Sequence, residues 1–311
     1  MSGGVERRPR AGYVVRIALA VLVTLATVVL VNRTTGWQGA RNIVSIAPSM
    51  LLPAILLTLS SHFLRGLRLW RVYARRGAPP FVSVLKISLL HNTASFLLPM
   101  RLGELVLPVL SRRNLDIGYV VSVSTLLLVR GADVHVLLMA VLVVVSVTGA
   151  PFGWLLAGMA LLLPIVGAAF ARLPAVAGRL PADVAVLVRD RLLLVETWCL
   201  TVVIWGVKLA AYLIITVSLY KLDVGRLMLG AIAADASGIF PVSGIAGAGT
   251  FEGAFVGAVM AAGSEMSGPA LLSAAIALHL YVILINLVAG FIGIMLRFAS
   301  PPAETGITEN T

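Results

Sequence analysis

Prolines, glycines and carboxylates recur in two short groups along this chain of 311 residues. The first holds Ala94, Ser95, Pro99, Arg101, Gly103 and Glu104; the second holds Ala236, Ser237, Pro241, Ser243, Gly244, Gly247, Gly249, Thr250 and Glu252. Their Ala-Ser pairs stand 142 residues apart. Each group interrupts an apolar segment, because proline lacks the amide a continuous helix needs and glycine permits the backbone to turn. Arginine near a helix start adds a planar fork of donors to unpaired backbone amides, a chemistry suited to phosphate. Arg101 is therefore the first candidate for a phosphate contact. A second reading has it pair with Glu104 and only brace the turn.

Other polar residues fall inside apolar runs. Arg130 and Asp133 are three apart, on one helical face where they can pair. His279 follows Glu252 by 27 residues much as Arg130 follows Glu104 by 26, so the two bases are either counterparts or His279 is a neutral core histidine satisfied by a carbonyl. Lys208 corresponds within one residue to Arg65 under the repeat; it either shares a cavity with Arg65 or pairs with a carboxylate. Gly249, Gly253, Gly257 and Ala261 form a small-residue stripe that predicts close helix packing, whereas Glu252 is expected to face a cavity. Asn92 and Asp235 read as helix caps, and Lys86 and Arg16 as snorkelling side chains. His62, His91, His135 and His279 lack metal-ligand spacing, so neither metal nor cofactor is expected.

The elements that must carry these groups are helices in a bilayer. Hydrophobic residues make up 59% of the chain, charged residues 12%, and mean hydropathy is +1.02, which no water-soluble domain of this size tolerates on its surface. The net charge of +11 comes from arginines at the ends of apolar runs, not from one basic and aromatic face, which excludes nucleic acid as the partner. Cys199 is the single cysteine; it forms no intrachain disulfide and reads as a buried, inert thiol. Six runs reach the roughly 20 residues needed to span: 13–31, 43–64, 117–148, 152–171, 198–220 and 270–297. The first follows Arg7, Arg8 and Arg10 like a signal peptide but lacks a small-x-small cleavage site, and is kept as a span. Two more apolar regions, 81–110 and 227–263, are broken by the groups described above.

The expected fold is thus an all-α polytopic membrane protein with six full spans and two broken, re-entrant hairpins, its repeat halves at 43–148 and 198–297. Three crossings separate the hairpins, so they open to opposite faces as an inverted repeat; eight full helices is the alternative. Arg65, Arg68, Arg71, Arg75 and Arg76, with Arg112, Arg113, Arg172, Arg179, Arg189, Arg191 and Arg297, are read as lying in loops or at span ends on one side, which makes both termini cytoplasmic. Residues 181–196 read as an amphipathic surface helix and 299–311 as a disordered tail, leaving a single transmembrane domain over 1–298.

Four stretches, Arg65 to Trp70 (RGLRLW), Ser95 to Glu104 (SFLLPMRLGE), Arg130 with Asp133, and Phe240 to Glu252 (FPVSGIAGAGTFE), resemble the lysylphosphatidylglycerol synthase transmembrane-region family of flippase-like proteins over nearly the whole chain. Two departures stand out: Val129 replaces an acidic residue before the span-three arginine, and the basic residue of the last span is replaced around His279. The resemblance implies a bacterial inner-membrane protein that translocates or handles polar lipids; the aminoacyl-transferring members carry an additional synthase domain that this chain does not show. The leading expectation is a non-enzymatic lipid flippase with a charged cavity between its halves. Alternatives are an accessory lipid-binding subunit beside a lipid-modifying enzyme and, less well supported by the residues, a membrane-embedded enzyme.

Overall fold

The computed structural model describes residues 10–35, 37–77, 79–147, 153–170, 185, 187, 189–220, 223–239 and 244–299; for 10–17, 100, 101, 163–170 and 239 it describes the backbone alone. Among them every regular element is helical: α1 (Arg10–Thr34), α2 (Gln38–Val44), α3 (Pro48–Tyr73), α4 (Phe81–Leu97), α5 (Val106–Leu115), α6 (Tyr119–Val147), α7 (Gly153–Phe170), α8 (Arg191–Leu219), α9 (Val224–Ala236), α10 (Thr250–Ala261) and α11 (Gly268–Met295). Four of these, α3, α6, α8 and α11, are long and apolar enough to cross a bilayer. Ala18–Thr34 with Gln38–Val44 makes a fifth candidate, bent by 80° where Trp37 takes a left-handed backbone at φ 64°. The tail beyond Ala299 and most of 181–188 lie outside the described residues.

Both sequence breaks are breaks in helices, and the chain doubles back at each. After α4 the backbone tightens into a 3-10 segment, Pro99–Leu105, before α5. Leu107 of α5 then packs with Val84 and Ile87 of α4 and with Leu69 and Tyr73 of α3. At the second break α9 leads through short 3-10 turns to α10. Gly230 of α9 lies so close to α10 that a Cβ there would come within 2.6 Å of Val259 and 3.0 Å of the Phe255 ring. Arg226, near the start of α9, donates to the Ala262 carbonyl just past the end of α10 at 3.1 Å, so the two half-helices run antiparallel. The main core lies where α3, α8, α9, α10 and α11 meet, around Tyr212, Ile215, Phe255 and Leu278.

Several expectations are corrected. α3 does not end near residue 64: apolar side chains continue between the arginines, the helix runs to Tyr73, and Arg65 and Arg68 are buried in the bundle instead of lying in a loop. Cys199 is exposed, because α8 turns Thr197, Thr201, Ile204 and Trp205 inward and Cys199 away. Gly253 and Gly257 face no neighbour within 4 Å; the close approach is made by Gly230 from the other half-helix. Lys86 does not simply snorkel: its Nζ donates to the Leu296 carbonyl at 2.5 Å and ties α4 to the end of α11.

Gly103 is the tightest point of the first hairpin, since a Cβ there would lie 2.1 to 2.2 Å from the Ala94 carbonyl group and the Ser95 amide nitrogen. Gly103→Ala should therefore cost about 3 kcal/mol through overpacking against backbone that cannot yield. Gly131→Ala, with nothing within 4 Å, should shift stability by no more than about 1 kcal/mol. Thermal unfolding of both variants in the same detergent checks this; equal midpoints would contradict the packing described.

Candidate functional site

Helical spacing puts three sets of polar residues on inward faces. Arg65 and Arg68 share one side of α3, Arg130 and Asp133 one side of α6, and Thr201, Trp205, Lys208 and Tyr212 recur every three or four residues along α8. They meet at Asp133. This carboxylate, 5% exposed, accepts from Arg68 Nη1 at 2.8 Å and from Trp205 Nε1 at 3.1 Å, and lies 3.5 Å from Arg130 Nη1. Arg68 Nη1 also donates to Thr201 Oγ1 at 2.6 Å. Arg130 reaches on to the first break, where its Nη2 donates to Glu104 Oε1 at 2.6 Å; His91 Nε2 stands 3.5 Å from the other Glu104 oxygen. Pro99 and Gly103 shape this break, and the Arg101 side chain lies outside the described residues.

Beside this network Trp205 carries two cations. Lys208 Nζ sits 4.8 Å from its ring centroid and Arg65 Cζ 5.4 Å, so the two residues share one aromatic platform. Their fates differ. Lys208 pairs with Asp235 Oδ2 at 2.6 Å, which makes Asp235 an ion-pair partner rather than the helix cap its sequence position predicts. Arg65 has no carboxylate partner among the described residues, and its buried Nη2 makes no hydrogen bond. The sequence spacing is equal and the residue differs: 27 residues after Lys208 comes Asp235, and 27 after Arg65 comes Asn92. Asn92 is uncharged, is not a cap either, and donates to the Ser88 carbonyl at 2.8 Å. Arg65, Arg68, His91, Asn92, Arg130 and Asp133 are among the residues lining a pocket with room for a few water molecules. Among the described residues, four inward-facing cations, the buried Arg65 and Arg68 and the part-buried Arg130 and Lys208, face three carboxylates, Glu104, Asp133 and Asp235, and Arg65 is the one left without an ion pair.

At the second break Glu252 closes a capping box on α10, its Oε2 accepting from the Gly249 amide at 2.8 Å. Its Oε1 is 2.6 Å from His279 Nδ1, and His279 Nε2 is 2.8 Å from the Ala246 carbonyl oxygen. Glu104 with Arg130 and Glu252 with His279 are thus alike, a break carboxylate with a base from the long helix that follows the hairpin. Thr250 Oγ1 donates to the Gly247 carbonyl at 3.0 Å, inside the turn rather than toward a cavity. Gly247 and Gly249 have φ of 85° and 84°, where glycine is at ease, and Ala246 at 56° carries about 1 kcal/mol or more of strain. Gly244 and Gly249 also let α1 approach: Cβ atoms there would lie 2.7 and 2.8 Å from the Thr24 and Thr27 hydroxyls. Pro241 and Ser243 lie outside the described residues.

Sequence reading overlooked Arg68, Trp205 and Thr201 as members of the network. The signal was the i, i+3 pair Arg65 and Arg68 within an unbroken apolar pattern, which favours a buried helix face over a loop. His135, without an evident partner in sequence, accepts from Trp198 Nε1 at 3.0 Å and contacts the Ala160 carbonyl at 2.9 Å.

Removing one member of a buried charge set leaves the others uncompensated. Asp133→Asn should cost about 3–5 kcal/mol, because it strands Arg68 and unbalances Arg130, whereas Arg112→Gln, at an exposed residue paired with Asp116, should cost about 1 kcal/mol or less. Detergent unfolding midpoints test the contrast, and a fully stable Asp133→Asn protein would refute it. Comparison with curated proteins gave no match. A family model does match: residues 15–290 fit the lysylphosphatidylglycerol synthase TM region, and together with the multi-pass helical fold this assigns the chain to that family of polytopic membrane proteins.

Proposed function

We propose that the protein is a lipid flippase whose polar cavity takes a phosphate-bearing headgroup while the lipid chains stay in the bilayer. One observation carries the reading: Arg65 is a buried guanidinium with an unpaired donor and no ion pair among the described residues, in a pocket shared with Arg68, Arg130 and the Asp133 carboxylate those two arginines hold. A buried uncompensated cation is costly, and an anion entering the pocket would remove that cost while gaining charge-assisted hydrogen bonds. The pocket is too small for a headgroup in the present conformation, so headgroup entry requires the surrounding helices to part.

The topology that serves this function has α1, α3, α6, α7, α8 and α11 as full spans. The hairpins α4 with α5 and α9 with α10 are re-entrant halves of an inverted repeat, opening to opposite faces. The matched spacings Arg65 to Asn92 and Lys208 to Asp235, and the matched contacts of Glu104 and Glu252, support it. In this reading both termini are cytoplasmic, the membrane is the bacterial inner membrane, and transport is non-enzymatic alternating access. A lipid-modifying enzyme is the natural partner at either end of the pathway.

Flipping of fluorescent phospholipids and of a polyprenyl-phosphate analogue in proteoliposomes tests the proposal. Arg65→Gln should reduce transport at least about tenfold, the loss of one charge-assisted contact, while leaving the unfolding midpoint unchanged or higher. Undiminished transport would remove Arg65 from the site. A folded wild-type protein that flips no lipid would make the chain an accessory lipid-binding subunit.

A further inference from the structure

His279 sits on the inward face of α11 beneath the turn of the second hairpin, and both of its ring nitrogens meet acceptors. Nδ1 is 2.6 Å from the Glu252 carboxylate and Nε2 is 2.8 Å from the Ala246 carbonyl oxygen. A neutral imidazole has one N–H and one lone pair, so it satisfies one of these contacts and sets a lone pair against the other. Both are satisfied only when the pair holds one proton more than a neutral ring beside an ionised carboxylate. Either an imidazolium donates to both oxygens, or a carboxylic acid donates to Nδ1 while Nε2–H donates to Ala246. His135 provides the contrast within the same molecule. Trp198 Nε1 donates to its Nδ1 at 3.0 Å and its Nε2 meets the Ala160 carbonyl at 2.9 Å, one donor and one acceptor, which a neutral ring fits.

We infer that Glu252 and His279 form a proton-binding site whose proton locks the second break closed. The turn hangs on this pair at both ends: Ala246 is held through His279, and Gly249 through its amide to Glu252 Oε2. Between them the backbone takes three positive-φ residues, Ala246, Gly247 and Gly249. When the proton leaves to water entering the break, a lone pair faces an oxygen at one of the two short contacts. The strained Ala246 is the part free to move away. Protonation closes the turn, and deprotonation releases it.

The surroundings leave this pair electrically to itself. α10 contributes Phe251, stacked on the imidazole with centroids 4.2 Å apart, and α4 contributes Phe96 edge-on at 6.1 Å. From α1 the hydroxyls of Thr24 and Thr27 reach the turn. α9 carries Asp235, committed to Lys208, and Arg226, committed to the Ala262 carbonyl. α2, α3 and α8 meet α11 through Gly39 at Ser273, Thr58 at Tyr281 and Tyr220 at Ser273. The Pro99–Leu105 segment touches the turn and carries Glu104, committed to Arg130, and Arg101, whose side chain lies outside the described residues. The proton count at this pair is independent of what the protein carries.

The wild-type protein in nanodiscs decides the proton count. Nitrogen-15 spectra of its four histidines at neutral pH, with His279→Gln for assignment, should show His279 as an imidazolium, or infrared difference spectra against Glu252→Gln should show a carboxylic acid at Glu252. A neutral His279 beside an ionised Glu252 overturns the site. The lock is tested by amide hydrogen exchange over residues 244–249, corrected for base catalysis, from neutral to alkaline pH. Exchange should rise at least tenfold in wild type. It should stay slow at all pH in Glu252→Gln, whose amide donates to Nδ1 of a neutral ring and accepts from Gly249, reproducing the protonated pair without a removable proton. The same rise in both proteins, or none in wild type, overturns the lock.

Discussion

A buried carboxylate in an apolar bundle must be surrounded by donors, and that constraint at Asp133 ties together elements distant in sequence. Its oxygens accept from Arg68 of α3 and Trp205 of α8, and through Arg130 on its own helix it reaches Glu104 in the first break. The Coulomb attraction among these groups roughly offsets the cost of removing them from water, so the set contributes little net stability while complete and is costly when broken. It contributes register instead. α3, α6 and α8 are apolar on most of their surface and could slide or rotate against one another at little cost. A single buried carboxylate with directional donors on each neighbour fixes one arrangement, and with it the position of Arg65 one turn before Arg68.

The two breaks solve one problem with different chemistry. At each, a carboxylate near the start of the second half-helix needs a counter-group, and each finds a base on the long helix that follows. In the first hairpin that base is arginine, which stays charged at any pH the cell meets, so the Glu104 contact is permanent. In the second it is histidine, whose charge is conditional on its surroundings. The first turn is tight, with Gly103 against the backbone of Ala94, and the second is held in a strained conformation by side-chain contacts from Glu252, His279 and Thr24. A fixed hairpin beside a releasable one is a division of labour that two identical breaks could not provide.

Much of this was legible in sequence, and the limits have physical causes. The breaks announced themselves because proline, glycine and a carboxylate within one turn have no place in a continuous apolar helix. The 26- and 27-residue spacings brought Arg130 and His279 into correspondence because a hairpin return and the entry of the next helix have nearly equal lengths in both halves. What periodicity cannot give is which inward face meets which. Spacing points Asp133 to its near neighbour Arg130, yet its shorter contact is with Arg68, 65 residues away. Asp235 looked like a cap because caps are local, and it became an ion-pair partner because α9 lies against α8. Cys199, Gly253 and Gly257 were misassigned for the same reason: a small or apolar residue in a membrane helix packs equally well toward protein or toward lipid, so its type does not reveal its direction.

The proposed site lies where two equal spacings end on different residues, Asn92 and Asp235. Had residue 92 been aspartate, as residue 235 is, Arg65 would be neutralised as Lys208 is, and the pocket would hold matched charges with no electrostatic reason to admit an ion. Asparagine keeps the size of aspartate and removes its charge, leaving the fold undisturbed and a cation without a partner. Such a residue is unfavourable for stability in an apolar bundle, and the surrounding structure must bear its cost. Trp205 is the means: its ring faces both cations, offsets part of the desolvation of Arg65 without satisfying its hydrogen-bond donors, and is itself held by Asp133. The aromatic platform thus holds Arg65 in the bundle with its charge unneutralised, the state in which an anion gains most by binding.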